Sequence, residues 1–286
     1  LPAKGANISY AGRKIAQILA SQGHDPSDVL VTTLDADNHA HPQYFSILTY
    51  HYLIEPKRKK CSFQPLAFFY NNIWEVPFTN RIIGLANTFW YLGESGERER
   101  MFTASSYAQS LDTLLAINFW SRDTIVEDLQ QFWRVFFHFK GTHHVVPLFI
   151  PIYQDALQNR TYFTSLLGQY KQLRRWAWGS SILAYAILKM WQMRKELPLM
   201  PTLRRIGYLA YLQITWATAP IVVLFNKNIL DYVNPEFSKS FFAYNFGALL
   251  GMLFTIMTVV ILVSISISLL TLPPPRGRLG KWRFVL

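Results

Sequence analysis

Hydrophobic and polar positions follow two different rhythms in the first 170 residues and a third afterwards. "NISYAGRKIAQILASQG" (residues 7–23) repeats its apolar residues at helical spacing and ends on glycine, which predicts a helix with a glycine stop. "DVLVTTLDA" (28–36) is a short β-branched run and predicts a buried strand. A helix feeding a strand points to an α/β fold. The same reasoning predicts a strand at "CSFQPLAFFY", a helix at "IIGLANTFWYL" and another at "VEDLQQFWRVFFHF".

Beyond residue 170 charge becomes sparse. Gly207 to Phe225 gives 19 residues without a charge and Ser240 to Pro275 gives 36. A bilayer core takes about 20 apolar residues of helix, so each stretch is expected to span a membrane. Arg204 and Arg205 precede the first and Arg276, Arg278, Lys281 and Arg283 follow the second, which predicts both ends cytosolic and the 226–239 loop outside. "WAWGSSILAYAILKMWQM" lies between Arg174-Arg175 and Arg194-Lys195, and its short uncharged part predicts a helix in the membrane interface, with a third crossing as the alternative.

Composition narrows the classes. The net charge of +11 suits an anionic membrane surface or a phosphorylated ligand as well as nucleic acid. Many basic residues flank the apolar stretches, and no zinc-finger or RNP-like pattern occurs, so a nucleic-acid partner is not expected. One cysteine, Cys61, excludes an internal disulfide and a Cys-based zinc cage. The chain opens on Leu1 without a signal-peptide pattern, and the start reads as truncated.

The candidate chemistry begins with Asp35 and Asp37, which follow "VLVTTL" where a strand would end. In α/β sheets ligands bind beyond the carboxyl ends of strands. Along an extended segment residues 35 and 37 point the same way, and two like charges on one face repel unless a cation or a proton intervenes. Mg²⁺ or Mn²⁺ with oxygen ligands answers that repulsion and also suits a diphosphate. Asp after a strand also simply makes a turn, and His39 and His41 share the same parity, as an Asp/His zinc site or as solvated loop histidines. Glu127 and Asp128 open the helix at 126–139, where a carboxylate is favoured by the helix dipole and a general base would stay ionised. Gln172, Arg175 and Trp176 form Q-x-x-R-W, offering a guanidinium for phosphate and a flat ring for a sugar, or an interface anchor.

D-x-D after a strand, then an acidic helix start, then Q-x-x-R-W before apolar stretches resembles the membrane-bound family 2 glycosyltransferases, the cellulose-synthase-like group. "AKGANIS" (3–9) looks like that family's K-G-x-x-N donor segment, with Lys4 and Asn7 as matching positions. "YNNIWEVPFTNR" (70–81) also resembles this group, without a defined role, and Val126 stands where the family usually has Thr.

The resemblance implies a partial GT-A, Rossmann-like domain lacking its first β-α-β unit over 1–172, the Q-x-x-R-W segment and interfacial helix over 173–205, and a transmembrane hairpin with a basic tail over 206–286. It implies an inverting, metal-dependent glycosyltransferase that moves a sugar from a nucleotide-diphosphate donor to a saccharide or lipid-linked acceptor. Its location would be the plasma (inner) membrane, multi-pass, with the catalytic domain cytosolic and the lipid bilayer as a partner. Asp128 would be the base. Lys4, Asn7, Asp35, Asp37 and Arg175 would bind the donor, Asp35 and Asp37 with Mg²⁺ or Mn²⁺, and Gln172 and Trp176 would bind the acceptor. The competing reading is a non-catalytic membrane scaffold or transporter component.

Overall fold

The computed structural model describes residues 4–236 and 239–274. Helix α1 (Lys4–Ser21) leads through Gly23, at φ +75°, to strand β1 (Leu30–Thr33) and the short β2 (His39–Ala40). Then come α2 (Tyr44–Ile54), β3 (Cys61–Phe68), α3 (Phe78–Ser95), β4 (Tyr107–Ser110), α4 (Leu111–Ala116), α5 (Glu127–His138), β5 (His144–Tyr153), α6 (Tyr162–Ala177) and α7 (Ser181–Gln192). The helix α8 (Leu199–Val233) and the helix α9 (Phe241–Thr271) complete the order. Glycine takes the left-handed conformation at residue 23 without steric cost, which lets the chain leave α1 toward β1.

The sheet has the order β1-β4-β3-β5-β2. β4 is antiparallel to both β1 and β3, and β3 is parallel to β5, so β1, β3 and β5 all run the same way. Their carboxyl ends therefore share one end of the sheet. The register of β3 on β5 shifts between Pro65 and Leu66, opposite a stretch of β5 that carries Pro147 and Pro151. Proline has no N–H to give a ladder, and the irregularity is where such residues are tolerated.

Helix α5 holds the first core together. Phe132, Trp133, Val135, Phe136 and Phe137 are buried on it, and Ile182 and Ala186 of α7 and Ile206 and Leu209 of α8 close over the same cluster. Between helix and sheet runs a polar chain. Arg134 donates to Gln131 Oε1 (3.1 Å), Gln131 to Gln109 Oε1 (3.0 Å), and Gln109 to Ser62 Oγ (2.7 Å). Ser62 Oγ lies 3.3 Å from His143 Nε2, and His143 Nδ1 lies 2.7 Å from Lys60 O. A carbonyl only accepts, so Nδ1 carries the proton, Nε2 accepts from Ser62, and each group in the chain is satisfied in one direction. Burial holds His143 neutral, its pKa pushed down from 6.5 to about 3.

The described residues up to Ala210 make one compact unit and those from Tyr211 onward another. The first unit takes in the segment 173–205, part in α6 and the rest in α7 and the start of α8. Helix α7 does bury one side and expose another, but the buried side, Ile182 and Ala186, faces the α5 cluster, while Ile187, Leu188 and Trp191 are exposed.

Two expectations are corrected here. Among the described residues no helix is long and apolar enough to cross a membrane. That overturns the fold expected from sequence, with its interfacial helix and two transmembrane helices, and with it the multi-pass plasma-membrane location. In α8 the reason is visible: the stretch counted from Gly207 begins inside the first unit, where Leu209 is buried beside Ile206, so its start belongs to a protein core. The α/β character is present, but the sheet mixes parallel and antiparallel pairs where a Rossmann-like sheet would be parallel. The basic tail expected after the second stretch lies outside the described residues.

Candidate functional site

At the shared carboxyl end of β1, β3 and β5 the chain turns. β1 stops at Thr33, whose buried hydroxyl donates to Tyr107 O at 3.3 Å, and Asn38 N donates to Asp35 O at 3.0 Å. Residues 35–38 thus form a turn, so the extended alternation expected to put Asp35 and Asp37 on one face does not apply. The two carboxylates have different surroundings: Asp35 is half-buried and Asp37 is exposed.

Asp35 faces helix starts. Lys4, the first described residue of α1, places its Nζ 2.5 Å from Asp35 Oδ1 and 3.7 Å from Glu127 Oε1, and donates to Ser105 O at 2.8 Å. Helix α1 comes this close to α5 because residue 5 is glycine. A Cβ there would sit 2.3 Å from Ser121 O and 3.2 Å from Glu127 Cβ. The next residue, Asp128, is anchored by Leu129 N donating to its Oδ1 at 2.8 Å, and its carbonyl accepts from Thr103 Oγ1 at 2.6 Å. Burial raises the Asp128 carboxyl above the ordinary carboxylate range, Asp35 adds to the rise, and the Leu129 amide and Lys4 oppose it. Burial and then the neighbouring Asp128 raise Glu127 in the same direction. Tyr91 of α3 is pushed up by burial first and then by the charges of Asp128 and Asp35, which places that phenol in their field.

Asp37 faces the strand ends. Its Oδ2 accepts from Asp155 N at 3.3 Å, and its carbonyl accepts from Asn71 Nδ2 at 2.9 Å, the same amide lying 3.3 Å from Tyr153 O. With its side-chain amide turned, Asn38 donates to Asp37 Oδ1 at 3.2 Å and accepts from Asp35 N at 3.2 Å. The segment "YNNIWEVPFTNR" shapes this side. Asn72 and Ala156 exchange two hydrogen bonds of 2.8 Å each, and Asn80 donates to Leu157 O at 2.7 Å. These pin the loop after β5 next to Asp37.

The remaining sequence-predicted residues are placed less directly. Gln172, in the last turns of α6, accepts from Gln169 at 3.0 Å. Arg175 is exposed and Trp176 half-buried, Asn7 is exposed on α1, and among the described residues no hydrogen bond or ion pair joins these four to the carboxylates. His41 Nδ1 accepts from Gln43 N at 3.2 Å and His39 pairs with Tyr153 in the sheet, so each histidine has its own local partner.

The one grouping of three possible metal ligands among the described residues lies elsewhere, at Glu55, Cys61 and His144. Arg98 already neutralises Glu55 at 2.7 Å, and Cys61 Sγ donates to Lys57 O at 3.0 Å with His144 Nε2 3.2 Å away. Burial and Glu55 push the Cys61 thiol up to about 12, so this is a hydrogen-bonded cluster around a neutral thiol. A cavity of about 640 Å³ between α2 and β1, lined by Leu30, Phe45, Leu48 and Tyr52 among others, contains none of the candidate residues.

Asn71, Asp155, Ser105 and Tyr91 join the site without having been read from sequence. Only Asn71 left a trace there, in the 70–81 segment. No protein-family model matches the chain, and no curated protein matches it either.

Proposed function

We propose that the chain is an inverting glycosyltransferase, taking a sugar from a nucleotide-diphosphate donor to a saccharide or lipid-linked acceptor with Mg²⁺ or Mn²⁺. The observation that carries this reading is Lys4 Nζ between Asp35 and Glu127, beside Asp128. It gathers three motifs that are far apart in sequence at the carboxyl end of the strands, where α/β sheets hold ligands. The chain also resembles the family 2 glycosyltransferases in those motifs.

Asp35 and Asp37 offer hard oxygen donors of the type a divalent cation takes, and the ammonium on Asp35 is a stand-in positive charge at that carboxylate. Bound there, such an ion would supply charge to stabilise the departing diphosphate. Asp128 takes the proton from the acceptor hydroxyl as that oxygen attacks the anomeric carbon from the face opposite the leaving group. Its raised pKa makes it a stronger base than an ordinary carboxylate, while Lys4 and the Leu129 amide favour the ionised form that must accept the proton. Lys4 and Arg175 bind donor phosphate oxygens, Asn7 the donor, and Gln172 and Trp176 the acceptor sugar.

The test is a panel of radiolabelled nucleotide sugars incubated with the protein, Mn²⁺ or Mg²⁺ and saccharide or lipid-linked acceptors. Label in a glycan product of inverted anomeric configuration supports the reading. No transfer and no hydrolysis from any donor would remove it.

A further inference from the structure

We infer that Lys4 is an ionic place-holder: its ammonium occupies Asp35 when no donor is bound, and yields that carboxylate to a divalent cation only when an anionic diphosphate arrives to receive the ammonium. This rests on the glycosyltransferase reading and adds a coupling between the two ligands.

The geometry gives the reason. Lys4 Nζ makes its shortest contact, 2.5 Å, with Asp35 Oδ1, and its third partner is the Ser105 carbonyl at 2.8 Å. Glu127, at 3.7 Å, is the more buried carboxylate, with 7% of its side chain exposed against 36% for Asp35. The ammonium therefore sits where a cation on Asp35 would be repelled by it. Lys4 carries its ammonium on a flexible four-carbon stem, so its head can change partner without moving the helix.

A cation alone must displace Lys4 and leave a positive charge beside itself. A cation arriving with a diphosphate gives that charge an anionic partner. The two ligands then bind with positive coupling, and linkage requires each to strengthen the other by the same factor. Asp37 takes no part in this competition, because its described partners are Asp155 N, Asn38 and Asn71.

The experiment titrates the full chain with Mn²⁺ alone, followed by the resonance of free Mn²⁺, then with uridine or guanosine diphosphate at fixed free Mn²⁺. In the native protein Mn²⁺ alone should bind weakly and the diphosphate should tighten it by roughly 5-fold or more. Lys4→Met should bind Mn²⁺ alone more tightly than the native protein and lose most of the coupling. Lys4→Arg, which keeps the charge, should retain it, and this guards against a Lys4→Met protein that folds poorly. Asp35→Asn should weaken Mn²⁺ whichever residue is at position 4. Native protein that binds Mn²⁺ and diphosphate with Lys4→Met indistinguishable from it overturns the place-holder and leaves the glycosyltransferase reading standing. Native protein that binds neither ligand overturns both.

Discussion

Lys4 Nζ lies 2.5 Å from Asp35 Oδ1, tying the first turn of α1 to the turn that follows β1. An ion pair this exposed contributes little to stability by itself. Its value is positional, since the same ammonium reaches Glu127 and brings the start of α5 to the carboxyl end of the sheet.

That approach depends on residue 5 having no side chain. In Gly5→Ala the new methyl would meet the Ser121 carbonyl at 2.3 Å, so α1 or the 121–127 loop must shift. The expected cost is about 1–3 kcal/mol, as for overpacking. Urea unfolding measures it, and nucleotide-sugar affinity should fall with it because Lys4 moves away from Asp35.

Asp128 should trade stability for chemistry. Its carboxyl binds protons more readily folded than unfolded, because burial raises it. Stability from this group is therefore full in acid and is lost as pH rises through the folded pKa. Asp128→Asn keeps the shape and removes the charge. It should melt higher than the native protein at pH 7, with the difference narrowing toward pH 4, and thermal melts across that range decide it.

His143 acts in the opposite direction. Its pKa is depressed from 6.5 to about 3, so the folded state binds fewer protons than the unfolded chain between those values. Stability is full above 6.5 and falls as pH drops toward 3. His143→Gln should be less stable at pH 7, because Lys60 O and Ser62 lose a matched partner, and its stability should depend less on pH in that window.

Trp133 is fully buried at the centre of the α5 cluster against Phe132, Phe136 and Phe137. Trp133→Ala should cost about 3–5 kcal/mol by loss of burial and the cavity left behind. Denaturant unfolding should show a lower midpoint with similar slope.

What the sequence disclosed follows from where pattern and burial coincide. α1, β1, β3, α3 and α5 lie where periodicity predicts them, because each has a clear apolar face or run. β4, "YAQS", escapes that reading since its Gln109 and Ser110 are buried polar residues, Gln109 inside the polar chain to His143. β5, "HVVPLFIPIY", is broken by Pro147 and Pro151, which argue against a strand until its register shift is seen. The stretch from Gly207 misled at its start because absence of charge does not reveal that Leu209 closes a core. In the site, the acidic pair and the α5 carboxylates were legible as residue types. The turn at 35–38, the Asn71 and Asp155 contacts and the reach of Lys4 depend on which strands end side by side, and no local pattern encodes that.

The central claim is that the two carboxylate groups divide the labour, Asp35 and Asp37 holding the donor and Asp128 moving the proton. The most direct measurement compares nucleotide-sugar binding and transfer in Asp37→Ala and Asp128→Asn at saturating Mn²⁺. The account predicts that Asp37→Ala loses metal-dependent donor affinity, while Asp128→Asn binds donor as the native protein does and transfers it about 10²- to 10⁴-fold more slowly. Native-like transfer by Asp128→Asn, or metal-dependent donor affinity unchanged in Asp37→Ala, would contradict it.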